Sequence, residues 1–400
     1  MLMDQTILSM IHALDQRVNG MYMKDFLLTW DKEKDDLILI LELAATLKKL
    51  RERNVSVRVF DTGLGISNFR DNSTRTRFSF ASACNLLGMG VQDLDEEKSQ
   101  ISHGETVRET AVMISFLADF IGIRDDIYLG EGNRYMREVA AALDESVAKG
   151  VLTQRPGIIN LQCDMDHPTQ SLSDLLHLQN AFGSLEALKN KRIVMSWAYS
   201  PSYGKPLSVP QGIITLMTRF GMHVRLAHPD GYGLIPEVMS QAADFASEHG
   251  GSFTTFNSMD KAMQDAHVVY PKSWAPYHVM EQRTQLLMSN DKKGLADLEQ
   301  ECLENNARFS NWTYTQKLKD LTNQKNALYM HCLPADISGV SCIKGEVDAD
   351  VFETHRLQTY MEAGYKPYII AAMMLSYRYK SPANVLRTIV ERNQTRVLYE

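Results

Sequence analysis

The stretch Asp71-Asn72-Ser73-Thr74-Arg75-Thr76-Arg77-Phe78 decides how the rest of this chain is read. It follows a short apolar run, Gly65-Ile66-Ser67-Asn68-Phe69, with the character of a strand. It opens a segment in which Phe80, Ala83 and Leu87 recur at helical spacing. Ser73 and Thr74 are natural helix N-caps, because their hydroxyls can satisfy free backbone N–H groups. Two arginines then fall in the first helical turn, where the helix dipole prefers anions. The conflict disappears if the turn holds an anion, with N–H groups, hydroxyls and a guanidinium converging on a phosphate. A plain solvated basic helix start is the other reading.

Working outward, strand and helix signals alternate along nearly the whole chain, which argues for parallel sheets. Before the opening stretch, residues 31–50 read as a helix with Leu37, Ile40, Leu41, Ala44 and Leu47 on one face. Residues 55–60 alternate like a strand. After it come a polar loop (93–104), a helix over 105–119, a short apolar run (120–124), a helix over 135–149 and a strand at 157–161. A helix over 171–182 ends at Gly183-Ser184. A second series follows, with strands at 191–197, 223–227, 252–256, 268–270 and 327–330. The boundary falls near residue 180, giving domains 1–180 and 181–368. A last helix, 369–392, has no strand left to serve and is expected to cross back onto the first domain, so that 369–400 belongs with it. The fold class is α/β, with two Rossmann-like parallel-sheet domains.

In open parallel sheets ligands gather at the carboxyl ends of strands. The chemically informative residues fall there: Ser73 to Thr76, Arg124, His167 with Gln170, Lys272 with Trp274, and His331-Cys332-Leu333-Pro334. Each alone has a plain structural explanation, such as an ion pair of Arg124 with Asp125 or Asp126, or a small buried Cys332. The loop 199–211 carries Pro201, Gly204, Pro206 and Pro210, long and stiff for a strand-to-helix connection. With 42 basic and 49 acidic residues the net charge is −7, which excludes a general nucleic-acid surface. Five cysteines without close metal-ligand spacing suggest a reducing compartment. With no apolar run of membrane-spanning length, the expected location is the cytoplasm.

The motifs Ser-Thr-Arg-Thr-Arg (73–77), His-Pro-Thr-Gln (167–170) and His-Cys-Leu-Pro (331–334), in this order, resemble the aspartate/ornithine carbamoyltransferase family. Lys-Ser-Trp (272–274) and the proline-rich loop resemble the branch acting on acylated ornithines, whose chain is knotted through that loop. The resemblance implies a trefoil knot in the second domain, with the segment 272–277 threading the loop 199–211. It implies that Ser73, Thr74, Arg75 and Thr76 hold the phosphate of carbamoyl phosphate. Arg124, His167 and Thr76 would approach the carbonyl oxygen, and Gln170 the carbamoyl amide. The backbone at Cys332 and Leu333 would face both substrates, while Lys272 and Trp274 would meet a carboxylate-bearing acceptor. Gln100 matches a glutamine that reaches the phosphate from a neighbouring subunit, which implies a homotrimer. No metal or organic cofactor is implied. Two positions depart from the family pattern: Lys366 stands where many members have an arginine, and Lys272 stands where ornithine enzymes have an aspartate. A carbamoyl transfer is therefore expected. Phosphorolysis of a ureido compound, or anion binding without catalysis, are the alternatives.

Overall fold

The computed structural model of the chain describes residues 5–94 and 105–398. The first half runs α1 (Gln5–Asp15), α2 (Lys34–Glu52), β1 (Leu64–Phe69), α3 (Arg75–Leu87), β2 (Gly90–Leu94), α4 (Val107–Met113), β3 (Phe120–Asp125), α5 (Gly132–Ala148), β4 (Gly157–Cys163) and α6 (Pro168–Phe182). Its four strands form one parallel sheet in the order β2-β1-β3-β4.

The second half begins with β5 (Arg192–Ser196), α7 (Ser208–Arg219), β6 (His223–Ala227), α8 (Pro236–His249), β7 (Ser252–Phe256), α9 (Met259–Met263) and β8 (Val268–Pro271). It continues with α10 (Tyr277–Met288), α11 (Lys292–Ala307), α12 (Gln316–Lys319), β9 (Leu328–Tyr329), and the short paired strands β10 (Ile337–Ser338) and β11 (Val347–Asp348). The second parallel sheet has the order β7-β6-β5-β8-β9. The chain ends in α13 (Ala349–Ala363), α14 (Lys366–Arg378) and α15 (Pro382–Arg392). The expected α/β architecture with two parallel sheets is therefore present. No helix among the described residues is long and apolar enough to cross a membrane.

The inner strands are covered by helices and read as apolar runs rather than alternations; β4 is buried along its whole length, while the edge strands β2 and β7 are more exposed. α2 presents Leu37, Ile40, Leu41, Ala44 and Leu47 to the core at the expected spacing. α3 sits very close to the sheet. A Cβ on Gly65 would lie 2.4 Å from Cys84 Sγ, and one on Gly122 would lie 2.6 Å from the Phe80 ring. These two glycines let α3 press down on β1 and β3, which fixes the position of its first turn. α14 packs against α2, α3, α6 and β4 of the first half.

Four expectations need correcting. Residues 55–60 are not a strand: their amides are spent on loop and tail carbonyls (Ser56 on Gln394, Val59 and Phe60 on Leu87). The neighbouring sheet position is instead taken by β2, which the polarity of its residues concealed. The helix expected over 105–119 ends at Met113. The single C-terminal helix is two helices, broken before Pro382, whose ring cannot continue α14.

Candidate active site

The carboxyl ends of β1, β3, β4, β8 and β9 and the turns that follow them border a cleft of about 670 Å³. Its lining contains Ser73, Thr74, Arg75, Thr76, Arg124, His167, Lys272, Cys332, Leu333 and Lys366, ten of the residues singled out above. Asn72, Gln162, Lys205, Pro206, Val209 and Pro334 complete it.

Each side chain arrives there for a local reason. β1 and β3 are in parallel register with Phe69 opposite Arg124, so the turn before α3 and the Arg124 side chain share one sheet edge. The pairing of β3 with β4 slips between Ile123 and Arg124, an irregularity of the kind that re-aims a side chain. Thr74 takes the N-cap position of α3, but its side chain makes no capping bond, contrary to the expected hydroxyl cap. His167 precedes α6, and Pro168 supplies a first helical residue that needs no N–H partner. Lys366 opens α14, just as Arg75 opens α3.

The two arginines of the opening stretch divide. Arg77 pairs with Asp93 and lies over the Phe69 ring, 4.2 Å from its centre. Arg75 turns to the cleft, where its buried Nε has no partner. Arg124 is held by Asp126 through Nε (3.1 Å) and Nη2 (3.0 Å), and Asp71 lies 3.6 Å away. Burial pushes the Asp126 carboxyl up to about 6, against the opposing pull of Arg124. The plain ion pair and the cleft position are thus both real for Arg124.

No aspartate or glutamate lines the cleft. Arg75, Lys272 and Lys366 have no ion-pair partner among the described residues, and the cleft is correspondingly cationic. Burial, reinforced by the charge of Arg75, brings the Lys366 ammonium down to about 8. Burial again, with Lys366 and Arg124 adding to it, drives the His167 imidazole well below its ordinary value, so the ring is neutral. Its Nδ1 lies 3.3 Å from Thr169 Oγ1. Lys272 is buried, and its ammonium donates to the Ser273 carbonyl at 3.0 Å rather than to a carboxylate.

Gln170 borders an adjoining cavity that it shares with Thr74, Arg75 and Lys366. Its Nε2 donates to Asp174 at 2.6 Å. Burial raises the carboxyls of both Asp174 and Glu362; Asp174 raises Glu362 further, while the hydrogen bond from Glu362 pulls Asp174 back down. The pair is therefore a place where a proton is shared.

One of the expected acceptor contacts differs. Trp274 is 1 % exposed and is absent from the cleft wall. Its indole donates to the Tyr232 carbonyl at 2.9 Å, and its own carbonyl accepts from Trp197. A tryptophan after a strand end serves equally as a wall or as core, and here the core claims it. Gln100 lies outside the described residues. Sequence reasoning missed Lys205 and Glu346. Lys205 had a weak signal, a cation within the proline-rich loop. Glu346 had none. Its buried carboxylate accepts from Ser273 N (2.7 Å), Asp336 N (2.8 Å) and Lys205 Nζ (3.0 Å), and lies 3.2 Å from His331 Nε2. Lys205 first, with His331 and Lys272 behind it, holds the carboxyl far below the usual carboxylate range despite burial.

The family profile described as "Aspartate/ornithine carbamoyltransferase, carbamoyl-P binding domain" matches residues 24–180, and the companion "Asp/Orn binding domain" matches 207–377. The chain is 61% identical over 395 residues to YgeW of Escherichia coli (strain K12), provisionally named a carbamoyltransferase, covering 99% of this chain and 100% of that one. It is 27% identical to a catabolic ornithine carbamoyltransferase of Treponema denticola, over 88% of this chain and 94% of that one. Among solved structures it resembles an acetylornithine transcarbamylase complexed with acetylcitrulline (26% identity, TM-score 0.68, 88% and 98% covered). It also resembles a mutant N-acetyl-L-ornithine transcarbamylase complexed with carbamyl phosphate and N-succinyl-L-norvaline (25%, TM-score 0.67, 88% and 98% covered).

Proposed function

The chain belongs to the aspartate/ornithine carbamoyltransferase family, and from that premise we propose that it moves the carbamoyl group of carbamoyl phosphate to the nitrogen of a carboxylate-bearing acceptor, releasing phosphate. The observation that carries this is the half-buried Arg75 side chain, whose buried Nε is unpartnered in the first turn of α3, in a cleft with no acidic lining. A phosphate dianion matches that deficit: it takes the guanidinium bonds, the Ser73, Thr74 and Thr76 hydroxyls, the free N–H groups of α3 and the Lys366 charge.

With the phosphate anchored there, the carbamoyl carbonyl points towards Arg124, His167 and Thr76. A neutral amine or amide nitrogen attacks, and the three donors stabilise the oxyanion of the tetrahedral intermediate. A neutral His167 supplies a hydrogen bond without needing to titrate. Because Gln170 Nε2 is engaged by Asp174, its carbonyl oxygen is left to accept from the carbamoyl NH₂. The intermediate collapses by breaking the bond to phosphate, which leaves with the proton of the attacking nitrogen. Most of the acceleration comes from positioning and fixed charge. The four-stranded sheet with α14 (residues 1–180 and 369–400) then serves carbamoyl phosphate, and residues 181–368 serve the acceptor.

We assign Lys272 to the acceptor carboxylate, supported by its lack of an acidic partner. Lys205 is already neutralised by Asp336 and Glu346. Such a site favours an acceptor with a carboxylate and a reactive nitrogen but no free α-ammonium nearby, which fits oxamate, acylated diamines and ureido acids better than ornithine or aspartate. The knot and the homotrimer with Gln100 in a neighbour's site are parts of the same reading. Ala275 N bonds to Lys205 O (2.9 Å), which supports passage of 272–277 against the loop 199–211. Reducing conditions, supported by five free cysteines, suit the cytoplasm. The test is phosphate release from carbamoyl phosphate across a panel of amines, amides and amino acids; release with none of them, at any enzyme concentration, would reject the proposal.

A further inference from the structure

A second cavity, of about 520 Å³, lies between the C-terminal turn of α2, α3, the α13–α14 turn and the C-terminal tail. Arg51, Arg58 and Arg396 line it together with Ser82, Asn85 and Tyr368, and no aspartate or glutamate does. None of the three arginines has an ion-pair partner among the described residues. Glu52, the nearest acid in sequence to Arg51, is taken by Lys48 and Lys49. The three come from distant parts of the chain and are assembled by specific bonds. Ser56 N donates to Gln394 O (2.8 Å) and Arg396 N to Asn54 O (2.8 Å). Asn54 exchanges two bonds with Val397 (2.7 and 3.1 Å), and Arg392 holds the Arg58 carbonyl (3.0 Å). The three guanidiniums are exposed on this cavity and no carboxylate balances them, so an anion entering it can be met by all three at once. Guanidinium forks match phosphate oxygens, and Tyr368, Leu86 and Val57 offer an apolar wall for an organic group.

We propose that this cavity is a second anion site, separate from the cleft, which takes an organic diphosphate or triphosphate. It lies along the same α3 whose first residue is Arg75, so the two sites must be distinguished by experiment. The inference does not depend on the reaction assigned above.

The test is calorimetric titration of the full chain with ADP, in an Arg75→Ala background that weakens the cleft's own anion binding. We expect about one site per chain, with affinity falling at least tenfold when Arg51→Gln, Arg58→Gln and Arg396→Gln are added. The charge-preserving set Arg51→Lys, Arg58→Lys and Arg396→Lys should keep most of the binding, which separates loss of the site from loss of fold. Absence of binding in the Arg75→Ala protein, or equal affinity after the glutamine changes, would overturn the proposal.

Discussion

Arg75 and Lys366 are both cations in the first turn of a helix, which is where a helix tolerates cations least. Arg75→Ala should weaken carbamoyl phosphate binding by about 2–5 kcal/mol, as for one partner of a desolvated charge pair; an unchanged affinity by calorimetry removes Arg75 from the site. Lys366 gives a pH signature. Its ammonium is already brought down to about 8, and only the protonated form attracts phosphate. Affinity for carbamoyl phosphate should therefore fall as pH rises through about 8, and Lys366→Arg should flatten that dependence, because a guanidinium stays charged. Binding at about pH 8.5 should also take up protons, measurable by calorimetry in buffers of different ionisation enthalpy. Lys272→Gln should lower kcat/KM for the best carboxylate acceptor by roughly 1.5–3 kcal/mol, the range for a hydrogen bond to a charged group. Ornithine turned over efficiently and unaffected by this change would refute the assignment of Lys272. Arg75 and Lys272 were legible in sequence because each follows the end of a strand and is a cation without a local reason, whereas Lys366 was read only from the family pattern. Trp274 was misread because an aromatic at such a place packs inward as readily as it faces a ligand.

Among the elements, the loop 199–211, the segment 272–277 and the motif 331–334 meet at Glu346. Nothing in the sequence near Gly345-Glu346-Val347 announces this, since its meaning depends on three segments that only folding brings together. Glu346→Gln leaves Lys205 with one carboxylate fewer in a buried place, and should cost about 3–5 kcal/mol of stability in denaturant unfolding. The sign with pH follows. A carboxyl held below its unfolded value contributes stability above the usual carboxylate range and loses it as pH falls through the depressed value. Acid should therefore narrow the difference between Glu346→Gln and the parent. Coincident melting of the two at neutral pH would show that Glu346 is not the tie. The alternation of strands and helices was readable because both sheets are parallel and doubly covered. β2 was not, because an edge strand with Gln92 and Asp93 exposed lacks the apolar run.

For the whole molecule, Phe78 (70 % exposed) and Leu117 (83 %) are large apolar side chains left facing outward, which a neighbouring subunit of the proposed homotrimer would cover. Light scattering should give about three times 45.3 kDa. Mixing inactive Arg75→Ala chains with inactive Gln100→Ala chains should restore part of the activity if sites are shared; a monomer at micromolar concentration would contradict this. The return of α14 to the first sheet has another consequence. Ile369, Ile370, Met373, Met374 and Leu375 are all buried, against elements made more than 180 residues earlier. During synthesis the first sheet leaves the ribosome long before the helix that covers it, so an apolar face stays open to solvent while the second sheet is being translated. A chain halted after Gly364 should accumulate as aggregate or remain chaperone-bound. Supplying residues 365–400 as a separate peptide during refolding should recover soluble protein, which makes this segment a kinetic gatekeeper for the first sheet.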